Sequence, residues 1–122
     1  MILVDTSIWV DHLRASDQAL ADLLDAGKVL THPFVIGEIS LGNLTRRAPV
    51  LSALSNLPKA VTATDAEVLK FVDAHQLFGL GIGYIDVHLL AAVRLTGGAE
   101  LWTRDKRLHS IAAELGLAMA RS

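Results

Sequence analysis

Two aspartates stand where short apolar segments end and helical patterns begin. Asp5 follows the apolar residues 1–4, and Asp105 follows the segment 101–103. Such segments are typical of buried parallel strands, and parallel α/β sheets bind ligands just outside the carboxyl ends of their strands. An aspartate at this point is also an ordinary N-cap of the following helix. Each residue alone therefore indicates either a helix cap or a position suited to chemistry.

Two further acids lie in strongly apolar stretches with a helical pattern. Glu38 lies within residues 34–41, and Asp86 lies within residues 83–90; neither has a basic residue three or four positions away. An unpaired carboxylate is costly to bury unless it binds a metal ion. The alternatives are that Glu38 reaches water at the rim of the core and that Asp86 faces the dipole at the start of its helix.

The four acids are predicted to meet at one edge of the sheet, because strand ends and the following helix starts share that edge. Two carboxylates about 4 Å apart repel by roughly 4 kcal/mol at an effective dielectric near 20. Such a group must take up protons or hold a divalent cation, and oxygen ligands without cysteine favour Mg²⁺ or Mn²⁺. The residues therefore predict a metal-dependent phosphoester hydrolase. The predicted ligands are Asp5, Glu38, Asp86 and Asp105.

One hydroxyl side chain accompanies the second strand end. Thr103 stands two residues before Asp105. Its hydroxyl is suited to holding a water or a carboxylate at the metal site. A β-branched residue is equally ordinary in a strand, so both interpretations of Thr103 stay open.

Short apolar segments alternate with helical patterns along the whole chain. Strands are predicted at 1–4, 28–31, 60–62, 100–103 and 117–120, with helices between them, and residues 64–67 form a capping box that begins one helix. This alternation predicts one three-layer α/β/α domain, residues 1–122, with a mainly parallel central sheet.

The composition restricts the class of protein. The 122 residues contain no cysteine, carry a net charge of −2 and are 52% hydrophobic, with a mean hydropathy of +0.42. Disulfides are excluded, and neither a signal peptide nor a membrane span is predicted, so we expect a cytoplasmic protein. The high apolar content predicts surface left for another chain. The overall charge gives no support to nucleic-acid binding unless basic residues cluster locally.

Four blocks of the sequence resemble the signature blocks of PIN-domain ribonucleases, and more narrowly those of VapC-type toxins of type II toxin–antitoxin systems. The blocks are VDTSIW (4–9), VIGEI (35–39), GYIDVHLL (83–90) and LWTRDKRL (101–108). The resemblance implies a five-stranded sheet with strand order 3-2-1-4-5. It also implies cleavage of RNA with Mg²⁺ or Mn²⁺, leaving a 5′-phosphate and a 3′-hydroxyl. The expected partners are a second copy in a homodimer and a cognate VapB-type antitoxin whose tail covers the acidic cleft.

The resemblance also assigns roles to individual residues. Asp5 and Asp86 would be the central metal ligands, while Glu38 and Asp105 would hold a second ion or the water network. Supporting hydroxyls would come from Thr6 and Thr103. The contacts to RNA phosphates are not assigned by the resemblance but expected from position: Arg104, Lys106 and Arg107 flank Asp105, and Arg14, Arg46 and Arg47 could line the cleft. For each of them, solvated surface charge is the alternative.

Two other functions are compatible with parts of the pattern. A PIN fold that has lost its activity would act only as a binding module; all four acids are present, which disfavours it. A receiver-type phosphoacceptor would need paired acids after the first strand and a lysine after a late strand. Here Asp5 is followed by Thr6, and the segment 101–103 is followed by Arg104.

Overall fold

The computed structural model describes residues 1–120 and contains a parallel sheet with the strand order β2-β1-β3. The strands are β1 (Ile2–Val4), β2 (Val29–Leu30) and β3 (Glu100–Trp102). Ile2 at the start of β1 aligns with Val29 on one side and Glu100 on the other. All three residues of β1 are buried although their side chains alternate between the two faces. Both faces are therefore covered, as a three-layer α/β domain requires.

The two outer strands of the predicted sheet are reduced to single parallel bridges. Thr31 bridges Lys59 outside β2, and Leu101 bridges Ala118 outside β3. The predicted five-stranded sheet was wrong among the described residues, as were the strands predicted at 60–62 and 117–120. The three observed strands have the relative order that 3-2-1-4-5 gives to its central members. On the first side, Pro58 has no N–H to extend the pairing, and the Val61 N–H donates to Thr96 Oγ1 at 2.9 Å instead.

Seven helices surround the sheet within residues 1–120. Their bounds are α1 Thr6–Arg14, α2 Gln18–Asp25, α3 Pro33–Ser40, α4 Arg47–Ser55, α5 Asp65–His75, α6 Tyr84–Leu95 and α7 Lys106–Glu114. Asp5 and Asp105 cap α1 and α7 with their side chains. The predicted capping box of Thr64 and Glu67 is confirmed at the start of α5. The α/β class with a parallel sheet is confirmed as well.

The central helix α6 is the most deeply buried helix. Every residue from Val87 to Val93 is buried, including His88. This helix has apolar residues all around, as expected of a helix enclosed by other elements. Its first turn carries Asp86, which the core therefore holds in a fixed position. None of the helices in the described part of the chain is long and apolar enough to cross a membrane.

Candidate functional site

Asp5 lies directly after the central strand and is buried, with 8% of its surface exposed. Its Oδ1 accepts a 2.8 Å hydrogen bond from the Thr6 N–H, and its Oδ2 accepts a 2.7 Å bond from Thr103 Oγ1. Ser7 Oγ lies 3.4 Å from the same Oδ2. The strand end thus places the carboxylate, and the neighbouring hydroxyls fix its orientation.

Thr103 joins the two strand-end acids. Its Oγ1 donates to Asp5 and accepts a 3.1 Å bond from the Asp105 N–H. Asp105 Oδ1 in turn accepts from the N–H groups of Arg107 and Leu108 at 2.9 and 3.0 Å. Asp105 therefore caps α7, as its sequence position indicated, and also lies beside the hydroxyl that holds Asp5.

Glu38 lies on the exposed side of α3 and meets the start of α1. Its Oε1 accepts a 2.9 Å hydrogen bond from Thr6 Oγ1. Glu38 is exposed at the rim of the core, which is one of the two positions that its sequence pattern allows. Thr6 links the two sides of the site, because its N–H is bonded to Asp5 and its hydroxyl to Glu38.

Asp86 is half-buried in the first turn of α6, where its Oδ2 accepts a 3.2 Å bond from the Gly83 N–H. Burial raises the pKa of Asp86, and the negative charges of Asp5, Asp105 and Glu38 raise it further, against a lowering by the Gly83 N–H. Three acids that are distant in sequence therefore act on the ionisation of the fourth. The four acids share one electrostatic environment.

The donor chemistry of these residues fits a divalent cation. None of the four acids forms an ion pair with a described basic residue, and all offer carboxylate oxygens, which Mg²⁺ and Mn²⁺ prefer. As the side chains stand, residues 1–120 hold no group of three or more acids or histidines that could bind a metal ion. The structure brings the predicted ligands near one another, and their role as one ligand set stays a prediction.

The predicted RNA-contacting residues have different surroundings. Arg104 is held by two ion pairs, with Asp11 at 2.6 Å and Asp17 at 2.8 Å. The Leu20 N–H and then Arg104 lower the pKa of Asp17. Arg104 is thus partly occupied by other side chains, which its sequence position did not indicate. Lys106 and Arg107 are exposed at the start of α7.

A cavity of about 590 Å³ opens beside Glu38 between α1, α3 and α4. Arg14, predicted to contact RNA, lines this cavity together with Arg46. Its apolar wall includes Val10 and Leu13. The cavity therefore combines apolar surface, basic side chains and one of the predicted metal ligands.

A polar contact between α5 and α6 is not evident from the sequence, in which Asp65 belongs to the predicted capping box of residues 64–67. Its Oδ1 accepts a 2.6 Å bond from the Tyr84 hydroxyl and lies 3.2 Å from His88 Nε2. These bonds lower the pKa of Asp65, and the bond to Asp65 raises the pKa of Tyr84. A histidine in the middle of an apolar helix was the available signal, because a buried imidazole needs a partner.

A second buried histidine caps the helix that carries Glu38. His32 Nδ1 accepts a 3.0 Å bond from the Phe34 N–H, so its proton lies on Nε2. Burial, followed by the nearby charge of His88, lowers the pKa of His32 to about 4. The Phe34 ring packs between the two imidazoles, with ring centroids 5.2 Å from His32 and 4.7 Å from His88.

Comparison with known proteins agrees with the geometry. The PIN domain family matches residues 2–114. Ribonuclease VapC32 of Mycobacterium tuberculosis, from two strains, is 49% identical over 120 residues, which are 98% of this chain and 97% of the relative. The matched region extends across the positions of all four acids. The chain therefore belongs to the PIN-domain family and, within it, to the VapC-type ribonucleases.

Proposed function

We propose that this chain is an endoribonuclease toxin that hydrolyses RNA phosphodiester bonds with Mg²⁺ or Mn²⁺ held by Asp5, Glu38, Asp86 and Asp105. The observation that carries the proposal is the hydrogen-bond network around Asp5, in which Thr6 links it to Glu38 and Thr103 links it to Asp105. A group of neighbouring carboxylates that has no basic side chain as a partner is stabilised when a divalent ion binds to it. Family membership makes ribonuclease activity the function to test first.

In the proposed site the acids bind the metal ion, and two threonine hydroxyls orient the acids. A bound Mg²⁺ or Mn²⁺ would supply Lewis-acid activation of water and would offset the charge of the phosphate. Thr103 holds Asp5 through Oδ2, and Thr6 holds Glu38 through Oε1. Both acids thus have one oxygen oriented by a hydroxyl, which reduces the rearrangement needed when the ion and the RNA bind.

Substitution of the central acids tests the activity. Asp5→Asn and Asp86→Asn are each expected to abolish RNA cleavage while the circular dichroism spectrum stays native. Asp73→Asn is the control, because Asp73 is an exposed acid of α5 outside the site. Sequencing of the cleaved ends should show 5′-phosphates and 3′-hydroxyls. Undiminished cleavage by Asp5→Asn would contradict the proposed mechanism.

Metal binding is tested separately from cleavage. Millimolar Mg²⁺ or Mn²⁺ should raise the melting temperature of the wild type, because a ligand that binds only the folded state stabilises it. The double variant Asp5→Asn/Asp86→Asn should show no such rise, and Asp73→Asn should respond like the wild type. An equal response of the wild type and the double variant would remove these acids from the ligand set.

An antitoxin of the VapB type is the proposed protein partner, since the resemblance implies a tail that covers the acidic cleft. The cavity beside Glu38 supports this, because it joins apolar walls to the acidic site. Purification of the chain with its co-expressed antitoxin should give a complex without RNA cleavage. Leu13→Asp in the cavity wall should weaken that complex, whereas unchanged binding would place the antitoxin elsewhere.

A homodimer is proposed from the apolar side chains left in water. Phe78 is 65% exposed, Leu80 42% and Ile85 38%, and all three lie in or next to the loop between α5 and α6. Exposed apolar residues gathered in one region are typical of protein interfaces. Light scattering at micromolar concentration should give twice the 13.1 kDa chain mass. A monomer under these conditions would contradict the proposal.

The runner-up is a PIN fold that binds RNA without cleaving it. Wild-type chain that binds RNA tightly in the presence of Mn²⁺ and leaves it intact would favour that function. All four acids are in place, and the hydroxyls that orient two of them are in place as well. These features favour the active enzyme.

A further inference from the structure

Arg107 stands two residues after Asp105, which is one of the predicted metal ligands. Its N–H donates a 2.9 Å hydrogen bond to Asp105 Oδ1, which fixes its backbone in the first turn of α7. Arg107 is exposed. The position of its guanidinium group is set by a contact with a different part of the chain, the loop of residues 77–83 that precedes α6.

The contact is made at Gly81. A Cβ atom added to Gly81 would overlap Arg107 Nη1, and it would lie 3.1 Å from Cζ and 3.3 Å from Cδ. The guanidinium therefore lies against the loop backbone, where a side chain on residue 81 would displace it. The other glycines with positive φ, namely Gly27, Gly79, Gly98 and Gly116, would meet nothing within 4 Å. Close approach of a side chain distinguishes position 81 from them.

The charge of Arg107 is free for a ligand. Arg104 is occupied by Asp11 and Asp17, whereas Arg107 forms no ion pair with any residue in the described range 1–120. The loop under Arg107 leads to Gly83, whose N–H is bonded to Asp86. Arg107 thus extends from the helix start that holds Asp105 to the loop that leads into Asp86.

We infer that Arg107, seated on Gly81, binds a phosphate of the RNA next to the phosphate at the acidic site. The guanidinium offers a planar set of donors that matches two phosphate oxygens, and a negatively charged acid cluster needs such a group to admit a polyanion. Gly81 acts as a positioning residue, because its lack of a side chain lets Arg107 lie across the loop. The inference rests on the proposed function, since it assumes that the acidic site receives RNA.

The test compares two glycine variants with an arginine variant. Binding is measured by fluorescence anisotropy in EDTA, so that the RNA stays intact, with a labelled single-stranded RNA that the wild type cleaves in Mn²⁺. Arg107→Ala should weaken binding by about tenfold, as expected for a charged hydrogen bond to phosphate. It should also reduce the slope of log K against log salt by about 0.7.

Gly81→Ala should weaken binding by a similar factor, whereas Gly79→Ala should bind like the wild type. The two glycines have φ of +78° and +72°, so both variants carry the same backbone strain and only one displaces Arg107. The double variant Gly81→Ala/Arg107→Ala should bind no more weakly than Arg107→Ala alone. This non-additivity separates loss of the arginine contact from a general disturbance of the loop.

Several results would overturn the inference. If Arg107→Ala binds RNA with wild-type affinity, the inference is wrong, whether or not Gly81→Ala folds. It is also wrong if the losses of the two single variants are fully additive in the double variant. Equal losses in Gly79→Ala and Gly81→Ala would also overturn it, because the effect would then belong to the loop. In each case the wild type still cleaves RNA in Mn²⁺. A wild type that neither cleaves nor binds RNA would instead overturn the proposed function and this inference together.

Discussion

The hydroxyl of Thr103 donates a 2.7 Å hydrogen bond to Oδ2 of Asp5, joining the ends of two neighbouring strands. The two residues are 98 positions apart in the chain and both are buried. The same hydroxyl oxygen accepts the Asp105 N–H, so its donor and one acceptor position are both used. The central carboxylate of the site is therefore oriented by the sheet itself.

Thr103→Val should impair both the site and the fold. The substitution leaves Asp5 Oδ2 and the Asp105 N–H without this partner, which is expected to lower the free energy of unfolding by about 1–3 kcal/mol. Loss of a hydrogen bond to a metal ligand typically costs about 10–100-fold in metal affinity or activity. Urea denaturation and the Mn²⁺ dependence of cleavage measure the two effects. Thr103→Ser keeps the hydroxyl and should retain most of both; losses in Ser together with wild-type values in Val would assign the role to the methyl group.

Asp86→Asn should stabilise the metal-free protein at neutral pH. Burial and three neighbouring acids raise the pKa of Asp86, so the unfolded chain ionises at lower pH than the folded one. The folded wild type therefore loses stability as the pH rises from about 3.8 through the raised pKa, and the asparagine variant does not. Urea denaturation in EDTA gives the free energy of unfolding of the wild type and of the variant. The difference between the two should grow as the pH rises from 4 to 7.5. Parallel curves of this free energy against pH would mean that neither burial nor the neighbouring acids raise the pKa of Asp86 in the folded state.

The positions of the strand-end acids could be predicted because they follow from local sequence and topology. Asp5 and Asp105 end apolar segments, and parallel connections bring such ends to one edge of the sheet. The sequence also indicated that these residues cap the helices that follow them, and both do. The extent of the outer strands could not be predicted, since the number of residues that pair depends on the neighbouring chain and not on the apolar pattern alone.

Contacts between distant side chains were not accessible from the sequence. The sequence places Arg104 beside Lys106 and Arg107, close to Asp105. Its partners in the structure, Asp11 and Asp17, lie near the beginning of the chain. Asp65 was explained by its place in a capping turn, and the bonds to Tyr84 and His88 arise only when α5 packs on α6. A local pattern predicts where a residue lies on its element and says little about which distant residue it meets.

His32→Asn should remove part of the acid sensitivity of the fold. The pKa of His32 falls from its ordinary value of 6.5 to about 4, because burial and the charge of His88 disfavour its protonation. The unfolded chain then takes up a proton first, so stability is lost as the pH falls from about 6.5 to about 4, by about 3 kcal/mol in total. Asparagine still caps α3. Urea denaturation at pH 7.5 and pH 4 measures the difference, and an unchanged difference in the variant would show that other groups cause the acid sensitivity.

Asp65→Ala should destabilise the fold more than Tyr84→Phe does. Asp65 is the hydrogen-bond partner of the buried His88, whose Nδ1 has none among the described residues, so alanine leaves both ring nitrogens unpaired. Tyr84→Phe removes one bond between exposed groups and leaves His88 paired. Asp73→Ala, on the same helix, is the matched control for loss of an exposed acid. The pKa of Asp65 is lowered, so the difference from wild type should be present above about pH 3.8 and vanish as the pH falls through the lowered pKa. Equal midpoints of urea denaturation for Asp65→Ala and Asp73→Ala at neutral pH would show that His88 does not depend on Asp65.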